Sequence, residues 1–128
     1  MNDAINPWIV KAEEDLTAAK ILLDSGDFPS AVVCFHAQQA VEKYIKAYLT
    51  SKGIEFRRTH DLIALLDDYC LATDIEFNRF RSQFENLTDY AIDLRYPGGE
   101  IPPSYAEARD AVETALELKH FILDRIVF

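Results

Sequence analysis

Apolar side chains recur every three or four residues along most of this chain, and this spacing constrains the fold more than any other feature. The longest series has intervals of 3, 4, 3, 4 and 3 and comprises Phe77, Phe80, Phe84, Leu87, Ala91 and Leu94. A series of this kind lies along one face of an α-helix. Asp74 can cap the start of this helix, and Pro97 ends it because proline disfavours helical geometry at the preceding residue. No segment shows the period-two alternation that is typical of a half-buried strand.

The same spacing predicts two long helices in the first half of the chain. The first begins at Asn6–Pro7, a cap residue followed by proline, and its apolar face comprises Trp8, Ala12, Leu16, Ala19 and Leu23. Residues 25–27 end this helix, and Asp27 can cap the second one. The second helix covers residues 28–51, and Gly53 follows its end as a C-terminal signal.

Two more helices complete the prediction. Thr59 can cap a short third helix that carries Leu62, Leu65, Leu66 and Tyr69. After the helix that carries the series from Phe77 to Leu94, residues 97–103 form a linker whose prolines and glycines exclude a helix. Ser104 and Glu107 then form the pattern of a capping box, which opens a fifth helix towards the C-terminus. The apolar face of the fifth helix comprises Ala108, Ala111, Val112, Ala115, Leu118 or Phe121, and Ile122.

These elements predict an all-α protein, an up-and-down helical bundle of four long helices and one short helix. A chain of 128 residues suits one domain, which we expect to span residues 1–128. We call the apolar series from Phe77 to Leu94 on the fourth helix the seam. From the sequence the seam has two interpretations. It belongs either to the core of a single chain or partly to the interface of a homodimer.

Composition excludes several broad classes of protein. Apolar residues make up 49% of the chain, which is enough for a core and excludes global disorder. The formal charge of −9 excludes a nucleic-acid binder that is basic over its whole surface. We find neither a signal sequence nor an apolar run long enough to span a membrane, and we expect a cytoplasmic protein without a membrane partner. Cys34 and Cys70 have apolar neighbours and are interpreted as small buried residues.

The second helix carries a polar stripe beside its apolar face. His36, Gln39, Lys43 and Lys46 are spaced 3, 4 and 3, and Glu42 lies beside them. A solvated face with a Glu42–Lys46 pair explains this pattern equally well. Charge placement favours a function, because residues 43–58 contain five basic residues and only one acidic residue in an otherwise acidic chain. This basic segment is a candidate site for phosphate or for an acidic partner, and it adds Arg57 and Arg58 to the stripe.

Four motifs occur in an order that resembles a known family. They are the series Trp8, Ala12, Asp15, Leu16, Ala19, Leu22 and Leu23, the helix segment Ala37-Gln-Gln-Ala-Val-Glu-Lys43 with Lys46 and Ala47, the junction Arg58-Thr-His-Asp-Leu62, and Arg95-Tyr-Pro-Gly98. Together they resemble the HEPN domain, the "higher eukaryotes and prokaryotes nucleotide-binding" family, over essentially the whole chain. The resemblance implies a compact helical bundle, commonly a homodimer. It also implies a partner protein, a minimal nucleotidyltransferase, in a toxin–antitoxin or stress setting.

Many members of this family are metal-independent ribonucleases, with an arginine followed after four to six residues by a histidine. The resemblance assigns the arginine to Arg95, which is the candidate catalytic residue, and Tyr96 follows it. The next histidine is His120, 25 residues later. The chain therefore lacks the histidine of the ribonuclease motif, which supplies general acid–base chemistry near neutral pH.

Other site types find little support in the sequence. The three histidines, His36, His60 and His120, do not form a ligand pair at helical spacing, and there is no Cys-x-x-Cys, so we expect no metal site and no cofactor. His60 follows Arg57 and Arg58 at the start of the third helix. It is either a local hydrogen-bonding residue or, with these arginines, a phosphate contact at a helix N-terminus. Arg95 and Tyr96 either end a helix, with the tyrosine hydroxyl in contact with water, or form a phosphate-binding pair.

Three functions remain open from the sequence. The first is a module that binds a nucleotide or RNA and acts with a nucleotidyltransferase partner. Its candidate binding residues are His36, Gln39, Lys43, Lys46, Arg57, Arg58, His60, Arg95 and Tyr96. The second is a diverged ribonuclease toxin. In it Arg95 stabilises the charge that develops on the phosphate, and the fold brings one of the three histidines close to Arg95. The third is a structural helical dimer without a ligand.

Overall fold

A computed structural model describes the backbone of residues 6–95 and 102–126 and the side chains of residues 7–88 and 102–126. Its α-helices are α1 (Asn6–Asp24), α2 (Ser30–Ser51), α3 (Leu62–Leu65), α4 (Leu71–Thr73), α5 (Arg81–Arg95) and α6 (Tyr105–Arg125). A π-helical segment, Leu66–Cys70, joins α3 to α4, and a 3-10 segment, Ile75–Phe80, leads into α5. This confirms the predicted all-α bundle of four long helices and one short helical segment. Among the described helices, none combines the length and the apolar composition that a membrane-spanning segment requires.

Helix α2 is the central element and packs against α1, α5 and α6. Its predicted apolar side is buried: Val33, Ala37, Ala40, Val41, Tyr44, Ile45, Ala47 and Tyr48. Several of these residues are alanines, which allow neighbouring helix backbones to approach closely. The polar stripe of α2 lies beside this buried side.

The aromatic seam before and within α5 lies in the core of one chain. Phe77, Phe80, Phe84 and Leu87 are buried within the single chain. Phe121 of α6 packs against two of them, with ring centroids 4.8 Å from Phe77 and 5.2 Å from Phe80. Burial of rings of this size is a major apolar contribution to stability. Of the two interpretations of the seam, these four residues support the core. The side chains of Ala91 and Leu94 lie outside those described.

Two predicted helix caps are wrong. Asp27 does not cap α2, because Pro29 occupies the N-cap position and the helix begins at Ser30. Phe28 precedes this proline and is therefore disfavoured in helical geometry, which delays the start of the helix. Thr59 does not cap α3 either. The cap is Asp61, whose side chain accepts hydrogen bonds from the backbone N–H groups of Ile63 and Ala64.

The other predicted ends are close to those observed. Asp74 caps its helical segment as predicted, but the first turns up to Phe80 are 3-10 and not α-helical. A 3-10 start is common at helix ends. Ser104 and Glu107 form the predicted capping box of α6. Every residue of the predicted apolar face of α6, including both Leu118 and Phe121, is buried. Residues 97–101 of the predicted linker lie outside the described residues.

Candidate functional site

The segment that leaves α2 carries three of the candidate residues to one edge of the bundle. Gly53 has a φ of +70°, a left-handed conformation that allows the chain to reverse directly after α2. Beyond this turn, the ring of Phe56 lies 6.1 Å from that of Trp8 and 6.5 Å from that of Tyr69. The hydroxyl of Tyr69 also accepts a hydrogen bond of 3.0 Å from the backbone N–H of Arg57. These contacts hold Phe56 and Arg57 against α1 and the π-helical segment.

A buried carboxylate connects this segment to the polar stripe of α2. Glu42 is only 2% exposed, and its Oε2 accepts a hydrogen bond of 3.0 Å from Lys46 Nζ. The Nδ1 atom of His60 lies 3.0 Å from Oε1 and 3.1 Å from Oε2 of the same carboxylate. We call these three residues the Glu42 cluster. The predicted Glu42–Lys46 pair is therefore present, but it is buried, so a fully solvated stripe is the wrong interpretation for this part of α2.

Aromatic rings cover the lysine of the Glu42 cluster. Lys46 Nζ lies 5.5 Å from the ring centroid of Trp8 and 5.9 Å from that of Phe56. Lys46 is 6% exposed, so its charge is satisfied by Glu42 and by the faces of these two rings. In this structure Lys46 supports the site from within and does not present its ammonium group to solvent.

His60 differs from its two cluster partners because it faces solvent. Its side chain is 60% exposed, against 3% for Glu42 and 7% for Lys46. Its backbone is held from α2, where Gln38 Nε2 donates to the His60 carbonyl at 3.3 Å. Gln39, a predicted site residue, in turn donates to Gln38 Oε1 at 2.7 Å. The fold therefore fixes both the backbone and the imidazole of an exposed histidine.

A second carboxylate binds the other end of the stripe. Asp15 of α1 lies 3.0 Å from His36 Nδ1 and accepts a hydrogen bond of 2.5 Å from Lys43 Nζ. We call these three residues the Asp15 cluster. Side-chain exposure is 31% for His36, 22% for Lys43 and 14% for Asp15, so this cluster is more enclosed than His60. The sequence includes Asp15 in the first family motif but did not identify it as the partner of His36 and Lys43, because α1 also carries several other acidic residues.

The two arginines before His60 have different surroundings. Arg57 donates a hydrogen bond of 2.5 Å to Asp68 of the π-helical segment, which raises the pKa of the exposed guanidinium above its usual value. Arg58 is exposed and makes no hydrogen bond, ion pair or ring contact with the described residues. Asp68 was also missed, because the π-helical register that turns it towards Arg57 has no clear sequence signature.

The structure thus brings the candidate residues into two neutralised clusters and one exposed segment. The cations of the stripe lie against carboxylates, and Arg57 lies against Asp68. Of the basic residues selected from sequence whose side chains are described, Arg58 is the one without a partner among the described residues. Arg95 is the last residue of α5, but its side chain, like all of Tyr96, lies outside the description. No group of three or more His, Cys, Asp and Glu within the described residues could hold a metal ion.

Comparison with known proteins gives consistent results. A family model described as "HEPN domain" matches residues 5–126. A protein of Methanocaldococcus jannaschii named "Putative toxin MJ1304" is 51% identical over 96 residues. That alignment covers 70% of this chain but only 61% of the relative, so the chain spans less than two thirds of that protein. The crystal structure of ST0689, described as an archaeal HEPN homologue, superposes with a TM-score of 0.67 at 25% identity and covers 96% of this chain and 98% of its own. The chain belongs to the HEPN domain family.

Proposed function

We propose that this protein is a toxin-type HEPN module that binds RNA or a nucleotide through the exposed segment 57–60, as a homodimer, and that it acts with a nucleotidyltransferase partner. Membership of the HEPN family and similarity to a protein named as a toxin support the general class. The observation that carries the binding proposal is Arg58, an exposed arginine without a described partner, two residues before an exposed histidine that is itself held in place.

The binding residues fall into two groups in this proposal. Arg57, Arg58 and His60 contact phosphate directly, because all three are exposed. Arg95 and Tyr96 are assigned to the same site by the family resemblance. Of the remaining candidates, Gln39 and Lys46 act indirectly through Gln38 and Glu42, which contact His60, and His36 and Lys43 belong to the neighbouring Asp15 cluster. Contact with phosphate should make binding strongly dependent on salt.

Binding to labelled RNA and to ATP at low salt tests this function, with Arg58→Ala as the main variant. Loss of one direct phosphate contact should weaken RNA binding and lower the salt slope of log Kd by about one. Arg109→Ala is the matched control, because Arg109 is also exposed but lies on α6. Equal effects of the two substitutions, or no binding of RNA or ATP by the wild type, would contradict the proposal.

The partner and the oligomeric state need separate tests. Co-expression with a nucleotidyltransferase encoded next to this protein should yield a complex that survives size-exclusion chromatography. Light scattering of the protein alone should give twice the mass of the chain. A monomeric mass at high concentration would remove the homodimer from the proposal, and separate elution would remove this partner.

A further inference from the structure

The 3-10 segment before α5 presents a surface to solvent that the proposed RNA site does not use. Three residues make one turn of a 3-10 helix, so the buried Phe77 and Phe80 lie on the same side of the segment. The exposed residues lie on its other two sides: Ile75, Glu76, Asn78 and Arg79. We call these four residues the 3-10 surface.

The guanidinium of Arg79 is held in place by aromatic rings. Its Cζ atom lies 4.8 Å from the ring centroid of Phe80 and 5.0 Å from that of Phe121. These rings restrain the planar group, but its N–H donors make no hydrogen bond or ion pair with a described residue. A guanidinium that is already restrained loses little conformational entropy when it binds a planar anion such as a carboxylate.

Arg125, which stacks on the same ring, shows the contrast. Its Cζ atom lies 3.5 Å from the ring centroid of Phe121. Its Nε donates a hydrogen bond of 2.9 Å to Asp74, and its Nη2 donates one of 2.6 Å to Glu76. The two carboxylates beside the 3-10 surface are therefore bound by Arg125. A ligand that binds Arg79 has to bring its own acidic group.

The rest of the surface favours a protein ligand over a nucleic acid. Ile75 is 72% exposed, the largest value among the exposed large apolar residues in the described part of the chain. An apolar contact beside an arginine is typical of a protein interface. Asp74 and Glu76 lie at the same place, and their negative charges repel a polyphosphate chain.

We propose that the 3-10 surface is the docking site for the nucleotidyltransferase partner. The partner places a carboxylate against the Arg79 guanidinium, with two parallel hydrogen bonds, and an apolar side chain against Ile75. This inference rests on the partner named in the proposed function. It assigns partner docking to a part of the chain other than segment 57–60, which carries the proposed RNA site.

The first experiment measures the affinity of the whole chain for the purified nucleotidyltransferase encoded next to it, by isothermal titration calorimetry. Arg79→Ala should raise the Kd about tenfold or more and reduce its dependence on salt. Arg109→Ala is the matched control, because Arg109 is also exposed and without a described partner but lies on α6. It should leave the Kd within about twofold of the wild type. RNA binding should be unchanged by Arg79→Ala.

The apolar half of the surface has its own matched pair of variants. Ile75→Ala should raise the Kd about fivefold or more, because the apolar contact is lost. Ile21→Ala removes the same side chain from α1, where it is 65% exposed, and should leave the Kd unchanged. Ile75 buries little surface in the free protein, so this variant keeps the test valid even where Arg79→Ala loses stability with its ring contacts.

The outcomes separate this inference from the proposed function. If the wild type does not bind the nucleotidyltransferase, the partner in the proposed function is overturned together with this inference. If the complex forms but Arg79→Ala and Ile75→Ala bind as tightly as their controls, only this inference is overturned. A loss of RNA binding in Arg79→Ala with an intact complex would identify RNA as the ligand of this surface. A dimeric wild type that becomes monomeric in Arg79→Ala, with the complex intact, would identify a second copy of the chain. Either result would overturn the docking site.

Discussion

At the scale of single residues, Glu42 organises the surface between α2 and α3. Its buried carboxylate joins a lysine from its own helix to a histidine from the following segment. Glu42 and Lys46 are i,i+4 neighbours on α2, a common surface pair, but here Trp8 and Phe56 cover the lysine. The pair therefore has the energetics of a buried ion pair, in which each charge depends on the other.

Removal of one partner should show this dependence. Lys46→Met leaves Glu42 buried without its cation and should lower the free energy of unfolding by about 3–5 kcal/mol, measured by urea denaturation. Lys11→Met is the control, because the Lys11–Glu14 pair is separated by 3.6 Å and more than 60% exposed on both sides. That substitution should change stability by less than about 1 kcal/mol. A similar small effect for both variants would contradict a buried pair.

The two cysteines should behave as inert core residues. Burial raises the pKa of both thiols to about 12, with Glu107 adding to the effect at Cys34. The thiolate is the reactive form, so at neutral pH both should react very slowly with Ellman's reagent in the folded protein. Both should react at once in guanidinium chloride. Rapid reaction of either thiol in the native protein would show that the core opens more readily than this packing implies.

At the scale of elements, helix ends show how far the sequence determined local structure. The capping box of Ser104 and Glu107 was predictable because both residues have the required spacing and no competing cap lies nearby. At α3, Thr59 and Asp61 are both good caps, and Thr59 Oγ1 instead accepts a hydrogen bond from the backbone N–H of Asp61. This choice places His60 just before the helix and within reach of Glu42.

The Ser104 cap gives a quantitative prediction. Ser104→Ala removes the acceptor for the Glu107 N–H and should destabilise the protein by about 1 kcal/mol in urea denaturation. Ser82→Ala is the same change at an exposed position inside α5, where alanine is the better helix former. Ser82→Ala should therefore leave stability unchanged or raise it slightly. An equal loss from both substitutions would mean that the cap does not stabilise α6.

The start of the 3-10 segment should contribute a stability term that depends on pH. The hydrogen bond from Arg125, together with a backbone N–H at Glu76, lowers the pKa of Asp74 below its usual 3.8. This carboxylate therefore stabilises the fold above that pH, and the stabilisation is lost as the pH falls through the lowered pKa. Asp74→Asn keeps the capping oxygen but removes the charge.

Asp74→Asn should be less stable than the wild type at neutral pH, and the difference should shrink in acid. Urea denaturation of both proteins across the acid range measures it. A difference that stays constant with pH would show that the ion pair with Arg125 does not contribute.

At the scale of the whole molecule, the fold was predictable and the site only in part. The periodic apolar residues assign helices and their buried faces, because burial is decided mainly by each helix's own pattern. The polar stripe of α2 was found by the same spacing. The Glu42–Lys46 pair was predicted, but Asp15, which reaches the stripe from α1, and Asp68, which reaches Arg57 from the π-helical segment, were not, because both contacts depend on packing that a single sequence does not reveal. A cluster of basic residues in sequence became a set of paired charges in space, with Arg58 and His60 facing solvent.

The central claim is that RNA binds where His60 and Arg58 are exposed, and an NMR titration tests it most directly. Two-bond proton–nitrogen spectra resolve the ring nitrogens of all three histidines and show which nitrogen carries the proton. In the free protein the ring signals of His60 should show the contact between Nδ1 and the carboxylate of Glu42. On addition of an RNA oligonucleotide its signals should shift to saturation, while those of His120 stay in place. A saturating shift at His120 with His60 unchanged would contradict the claim.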